Sequence, residues 1–209
     1  MSKPYNLFAG HSHDRLASLS DGVFAVAMTL LVLGLHVPVE ATIHSEHDLW
    51  LALVALLPQL VTYLMSFLTL GIFWVGQQTQ LNQLTRSDRD LTWIHLGFLL
   101  AVTLTPFSTA LLADFITFRI AVVVYWLNIL LLGAVLFASW RYASHAKLVK
   151  DEMTAEMRKG VDQRLFVAQA LYALGAALCL FSTYISIAVI VLVQLNYVFA
   201  PRIGLLYRI

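Results

Sequence analysis

The residue with the greatest chemical consequence in this sequence is Asp21. It is the one acidic residue set well inside a long apolar run over residues 16–37, and Arg15, Ser18 and Ser20 stand just before it. A charged side chain at the centre of a membrane span costs about 2.5–3.5 kcal/mol on insertion scales, and less toward an edge. Asp21 therefore needs partners. Arg15 and Asp21 are spaced so that they do not face each other on one helix. Two chemistries fit these residues. Arg15, Ser20 and Asp21 form a network that fixes the helix during folding and assembly, or the carboxylate serves a proton relay or an ion site.

A second feature lies on the same helix. At about 100° per residue, Gly22, Val26, Thr29, Leu30, Leu33 and Val37 fall in one stripe, and Asp21 stands about 140° from Val26. The stripe is apolar apart from the Thr29 hydroxyl. Periodicity alone leaves it facing lipid, the protein core or a pore. Asp21, on the other side, is expected to pack into its own bundle and bond to other spans.

Other chemistry is thinly provided for. Cys179 is the single cysteine and sits in an apolar run. No intrachain disulfide and no cysteine-built metal site can form, and the residue reads as packing. The sequence holds no Walker loop, no dinucleotide-binding glycine pattern and no His-Glu-x-x-His. No nucleophile–base pair stands at helical spacing. An enzyme, a cofactor and a fixed metal ligand set are not expected, and a net charge of +1 gives no reason to expect nucleic acid.

The elements that must position these residues are membrane spans. Of 209 residues 60% are hydrophobic and only 12% are charged, against about 25% charged in an ordinary soluble domain. There is too little polar surface to coat a water-soluble globule. A bilayer core of about 30 Å needs about 20 helical residues. The expected fold is all-α, one six-helix membrane domain over residues 1–209, with spans near 16–37, 49–75, 91–112, 118–140, 165–182 and 184–204. The first is read as a true span because no small-x-small cleavage site follows it. Pro58 and Pro106 mark places where the second and third spans bend. The last apolar stretch is too long for one span and is divided at Ser182-Thr183-Tyr184.

Charge placement orients this chain. With the N-terminus in the cytosol, Lys3, Arg15, Arg86, Arg89, Arg141, Lys147, Lys150, Arg158, Lys159, Arg164, Arg202 and Arg208 all fall inside, and Arg119 alone falls outside. That satisfies the positive-inside rule and predicts a multi-pass cell-membrane protein with both termini cytoplasmic. Trp50, Trp74, Trp93 and Trp140 lie near predicted membrane edges, where indoles prefer to sit. The loop over 141–164 reads as a solvated extension of the fourth span.

The run Arg15-Leu-Ala-Ser-Leu19-Ser20-Asp21 resembles the signature Arg-x-x-x-Phe-Ser-Asp of the transmembrane protein 175 family, the lysosomal-type potassium channels, in its bacterial branch. Leu19 stands where the family has Phe. The resemblance continues in Phe73-Trp74, in Arg86-x-x-Arg89-x-Leu91 and in Thr105-Pro106-Phe107-Ser108-Thr109-Ala110-Leu111-Leu112. It covers the first three spans by motif and the last three by hydropathy. Related chains often carry a His pair after the second-span Trp, where this chain has Gln77-Gln78. An amide cannot take up charge with pH, so a network built on it responds less to pH.

The resemblance implies a potassium-permeable cation channel in the lipid bilayer. Homotetramer assembly would place symmetry-related first helices around a central pore. By position, Val26, Leu30 and Leu33 would form a hydrophobic constriction, and Thr29 would add a hydroxyl ring that helps selectivity. Arg15, Ser20, Asp21, Trp74 and Gln77 would form the signature network. Potassium ions would pass without a fixed ligand set. Glu40, Glu46 and Asp48, on the first outer loop, would concentrate cations there or form an ordinary polar loop. The alternative class is a proton-coupled or small-solute transporter, which needs broken helices and buried polar groups at mid-depth. The spans offer Gln59, His95, Asn128, Gln169, Gln194 and Asn196 for that purpose. His95 reads as an ordinary buried or interfacial residue. A non-conducting helical scaffold is the remaining possibility.

Overall fold

The computed structural model describes residues 13–150 and 155–199. Lys3, Arg202, Arg208 and the end of the last expected span lie outside the described residues. Helix α1 runs His13–Leu30 and tightens into a 3₁₀ turn, Leu31–Gly34. The chain leaves it extended at Leu35, with φ −89° and ψ 107°. The helix therefore stops short of Val37, because Pro38 biases its predecessor toward extended backbone.

The apolar stretch expected as one span over 49–75 is instead two helices. The short α2, Glu46–Ala55, is capped by Ser45, whose Oγ accepts from the Asp48 N–H at 3.1 Å. Glu46 and Asp48 occupy its first turn, where carboxylates suit the positive end of the helix dipole. The long α3, Leu57–Leu81, restarts with Pro58 in its first turn. Proline has no N–H to give to the preceding turn and is tolerated at a helix start. The third stretch repeats the device. Helix α4, Arg89–Thr103, is capped by Asp88, and α5, Thr105–Asp114, restarts with Pro106 in its first turn. Helix α6 runs Arg119–His145, longer than the 118–140 expected. Helix α7, Ala155–Ala177, ends in a 3₁₀ turn, Leu178–Leu180, and α8 follows as Thr183–Phe199.

Among the described residues, five helical segments are long and apolar enough to cross a membrane: α1 with its 3₁₀ turn, α3, the joined α4–α5, α6 and α7. Helix α8 is a shorter apolar helix. Helix α6 is the central post, packed on α3, α4, α5, α7 and α8, while α1 lies against α3, α4 and α5. Between spans in lipid, association relies on close packing and interhelical hydrogen bonds rather than on expelling water. Both are present. Phe24, Phe73 and His95 gather around Phe98 at ring-centroid distances of 6.0, 6.5 and 6.0 Å in tilted arrangements that suit ring quadrupoles.

A polar seam ties the other spans together. The Tyr125 hydroxyl on α6 lies 3.0 Å from Thr69 Oγ1 and 3.3 Å from Ser66 Oγ on α3. Gln194 on α8 donates to Thr69 at 2.7 Å, and Thr109 on α5 donates to Ser66 at 2.7 Å. Asn128 donates to Thr105 Oγ1 at 3.1 Å. The α3–α4 turn is stapled to the chain after α6 by backbone bonds, Thr85 N to Leu148 O and Lys150 N to Gln83 O, each 2.9 Å. This staple closes over Leu81, Leu84, Leu91 and Trp140. Trp140 is 2% exposed and fills this cluster.

Candidate functional site

Helix α1 has a buried seam at helical spacing: Leu16, Ser20, Phe24, Ala27 and Leu31. Asp21 is turned about 100° from Ser20 by helix geometry. It does not enter the bundle interior as the sequence reading expected, but lies on an exposed flank. Its partners come from α3. Asp21 Oδ1 accepts from Trp74 Nε1 at 2.8 Å and from Gln78 Nε2 at 2.7 Å. Trp74 and Gln78 are one turn apart on α3 and so share a face. Two neutral donors on one carboxylate oxygen lower the cost of holding a charge near hydrocarbon, and charge-assisted bonds of this kind are the strong ones.

Ser20 points inward and is fully buried. Its Oγ lies 2.7 Å from the Leu16 carbonyl and 2.7 Å from His95 Nε2, and it accepts from Gln77 Nε2 at 3.0 Å. Gln77 and His95 are themselves 1% and 2% exposed. One hydroxyl thus joins α1, α3 and α4. The expected single network is really two adjacent ones: Ser20 with Gln77 and His95 inside, and Asp21 with Trp74 and Gln78 on the flank. Arg15 is exposed and stands apart from both. The sequence points to the Gln77-Gln78 amides but puts only Gln77 in the signature network, and it reads His95 as an ordinary buried or interfacial residue. The available signal for Gln78 was its one-turn spacing from Trp74. For His95 it was the appearance of an imidazole in an otherwise apolar stretch.

The stripe predicted from periodicity is uncovered by its own chain. Val26 is 58% exposed, Leu30 44% and Leu33 69%. Gly22, Thr29 and Val37 are exposed as well. Thr29 donates its hydroxyl hydrogen to the Val26 carbonyl at 2.8 Å, which leaves the oxygen lone pairs directed away from the helix backbone. No group of His, Cys, Asp and Glu able to hold a metal ion occurs among the described residues. On the α1–α2 connection, Asp48 Oδ2 accepts from the His44 N–H at 3.2 Å, so that carboxylate shapes the loop.

Fold and site together define a multi-pass, all-helical membrane protein whose leading helix is anchored on one flank and bare on the other. Residues 15–106, which hold both networks and the stripe, match the family model described as endosomal/lysosomal potassium channel TMEM175. The chain is 30% identical over 190 residues to a potassium channel of Streptomyces collinus, covering 88% of this chain and 91% of that one. It is 30% identical over 179 residues to a potassium channel of Chamaesiphon minutus, covering 84% and 88%. A crystal structure of a lysosomal potassium-selective channel TMEM175 homologue from Chamaesiphon minutus matches with a TM-score of 0.79 at 27% identity, covering 90% of this chain and 97% of that chain. The chain belongs to the TMEM175 family. Its family and relatives are ion channels, and it is not an enzyme.

Proposed function

We propose that this protein is a potassium-permeable cation channel, a homotetramer whose α1 helices line a central pore. The observation that carries the reading is the uncovered stripe of Val26, Thr29, Leu30 and Leu33 on the helix that bears the family signature. A stripe that its own chain leaves bare must meet lipid, ions or other copies. The opposite flank of α1 is spent on Trp74 and Gln78, which fixes the rotation of the helix and hence the direction of the stripe. Two relatives are named potassium channels, which supports the reading that potassium ions are what passes.

The mechanism follows from side-chain chemistry. A ring of Val26, Leu30 and Leu33 side chains expels water when narrow, and an ion cannot shed its shell there without replacement ligands. Widening the ring restores water. Thr29 supplies oxygen lone pairs within one turn of Val26, which suits a partly dehydrated potassium ion. Ser20 and Asp21 hold the helix without touching the ion. Helix α8 supplies the last crossing, which leaves both termini cytoplasmic as the charge distribution requires.

Cys179 is buried, so a new thiol at the stripe is readily distinguished from it. In reconstituted liposomes, potassium flux through Val26→Cys is expected to be blocked by silver ions or a charged thiol reagent, while the unsubstituted protein is not. Unimpeded flux through the fully modified variant removes Val26 from the conduction path. Flux that saturates and requires a co-substrate identifies a transporter instead.

A further inference from the structure

Beneath the staple of the α3–α4 turn lies a small cavity of about 10 Å³. Trp140 forms part of its apolar wall, and Gln80 of α3, His95 of α4 and Ser139 of α6 bring polar groups to it. Those three residues are 8%, 2% and 8% exposed. Each has hydrogen-bonding capacity that no described residue uses. His95 meets Ser20 and Gln77 through Nε2, which leaves Nδ1 over. The Ser139 hydroxyl and the Gln80 amide make no hydrogen bond among the described residues and are not among its fully enclosed polar atoms, so both keep open surface. In residues so deeply buried, that surface belongs to the cavity wall. Gln77 borders the cavity too but adds nothing, because its Oε1 is closed off and its Nε2 is spent on Ser20.

Volume and lining together name the occupant. A cavity needs about 10–15 Å³ to hold a single water, and a buried water needs about two to four polar partners. Hydroxyl, amide and imidazole between them both donate and accept, as water does. No Asp, Glu, Lys or Arg lines the cavity, so an ion would find no opposite charge to offset its lost hydration. We infer that the cavity is the site of one ordered water molecule, bonded to His95 Nδ1, Ser139 Oγ and the Gln80 amide. This water extends the inner network. Ser20, Gln77 and His95 join α1, α3 and α4, and the water carries the same network to Ser139 on α6, the central post. It also holds the imidazole by its second nitrogen, and the bond made at one ring nitrogen decides which nitrogen carries the proton. The site does not rest on the channel reading.

The test is X-ray radiolysis of the purified full-length protein in detergent, mapped by mass spectrometry. Radicals formed from a held water oxidise the side chains against it. His95 and Trp140, each 2% exposed, are expected to oxidise well above the equally buried Tyr125, which does not line the cavity. Ser139→Val puts methyl groups where the hydroxyl and the water stand and is expected to abolish that oxidation, while the exposed Trp93 oxidises as before. Misfolding would uncover His95 and Trp140 and raise their oxidation, so it cannot imitate the loss. Gln80→Leu removes a different partner from another helix and is expected to lower the same signal, which keeps the test open if the first variant fails to fold. His95 and Trp140 as resistant as Tyr125 in the unsubstituted protein overturn the site. Oxidation that persists in both folded variants overturns it equally.

Discussion

At the residue scale the decisive side chain is Ser20. Its hydroxyl is the common partner of Gln77 and His95, so removing it leaves those two buried groups with only their own weak 3.3 Å contact. Interhelical hydrogen bonds in membranes average about 0.6 kcal/mol, but a stranded buried group costs about 1–3 kcal/mol. Ser20→Ala should therefore destabilise the folded chain by about 1–3 kcal/mol, read as a lowered unfolding midpoint in detergent. Asp21 behaves differently because both its bonds are made by an oxygen acceptor. Asp21→Asn retains a carbonyl oxygen for Trp74 and Gln78 and should keep the proposed tetramer on size-exclusion chromatography. Asp21→Leu offers no acceptor and should lose it. Loss of the tetramer by both variants would mean that charge, not acceptance, is what matters. Ser20, Asp21, Trp74 and Gln77 were legible from spacing and motif. His95 was not, because one histidine in an apolar span carries no periodic signal. The division into an inner and a flanking network was also hidden, since it depends on a turn of about 100° between neighbouring residues meeting a particular neighbouring helix.

At the element scale, hydropathy located the apolar stretches but not their joints. Pro58 and Pro106 were visible as bends, yet a proline reads the same in sequence whether it kinks one helix or opens a new one. Here each stands in the first turn of a restarted helix. The contact between α7 and α8 was likewise illegible. Gly175 looks like any small residue in an apolar helix, but a Cβ there would lie 3.0 Å from Ile190 Cγ1, and its carbonyl accepts from Ser186 Oγ at 2.8 Å. Close approach of small residues is how helices pair in lipid. Gly175→Leu must push α8 away, at a cost of about 1–3 kcal/mol typical of overpacking. The check is faster proteolysis or a lower midpoint, with Gly160→Leu as a control, since a Cβ at Gly160 meets nothing within 4 Å.

For the whole molecule, composition settled the solvent and helical class, and periodicity put Gly22, Val26, Thr29 and Leu30 on one bare face of α1, while Leu33 falls in the 3₁₀ turn and Val37 beyond it. No single-chain pattern says what that face meets, because the answer lies outside the single chain. The conductance test follows from the same geometry. On the proposed channel reading, Val26→Ala removes two methyl groups from each copy of the stripe, which should let water into the apolar ring. Potassium leak through liposomes bearing this variant should exceed that of the unsubstituted protein several-fold or more. Leak equal to the unsubstituted protein would place the barrier elsewhere.

Thr29 has already given its hydrogen to the Val26 carbonyl. A hydroxyl so committed can only accept. Chloride, which needs donors, would find nothing to replace its water beside that oxygen, whereas a cation would. Discrimination by sign of charge would then require no charged side chain at the narrowest point: it would be set by which way one O–H bond is turned.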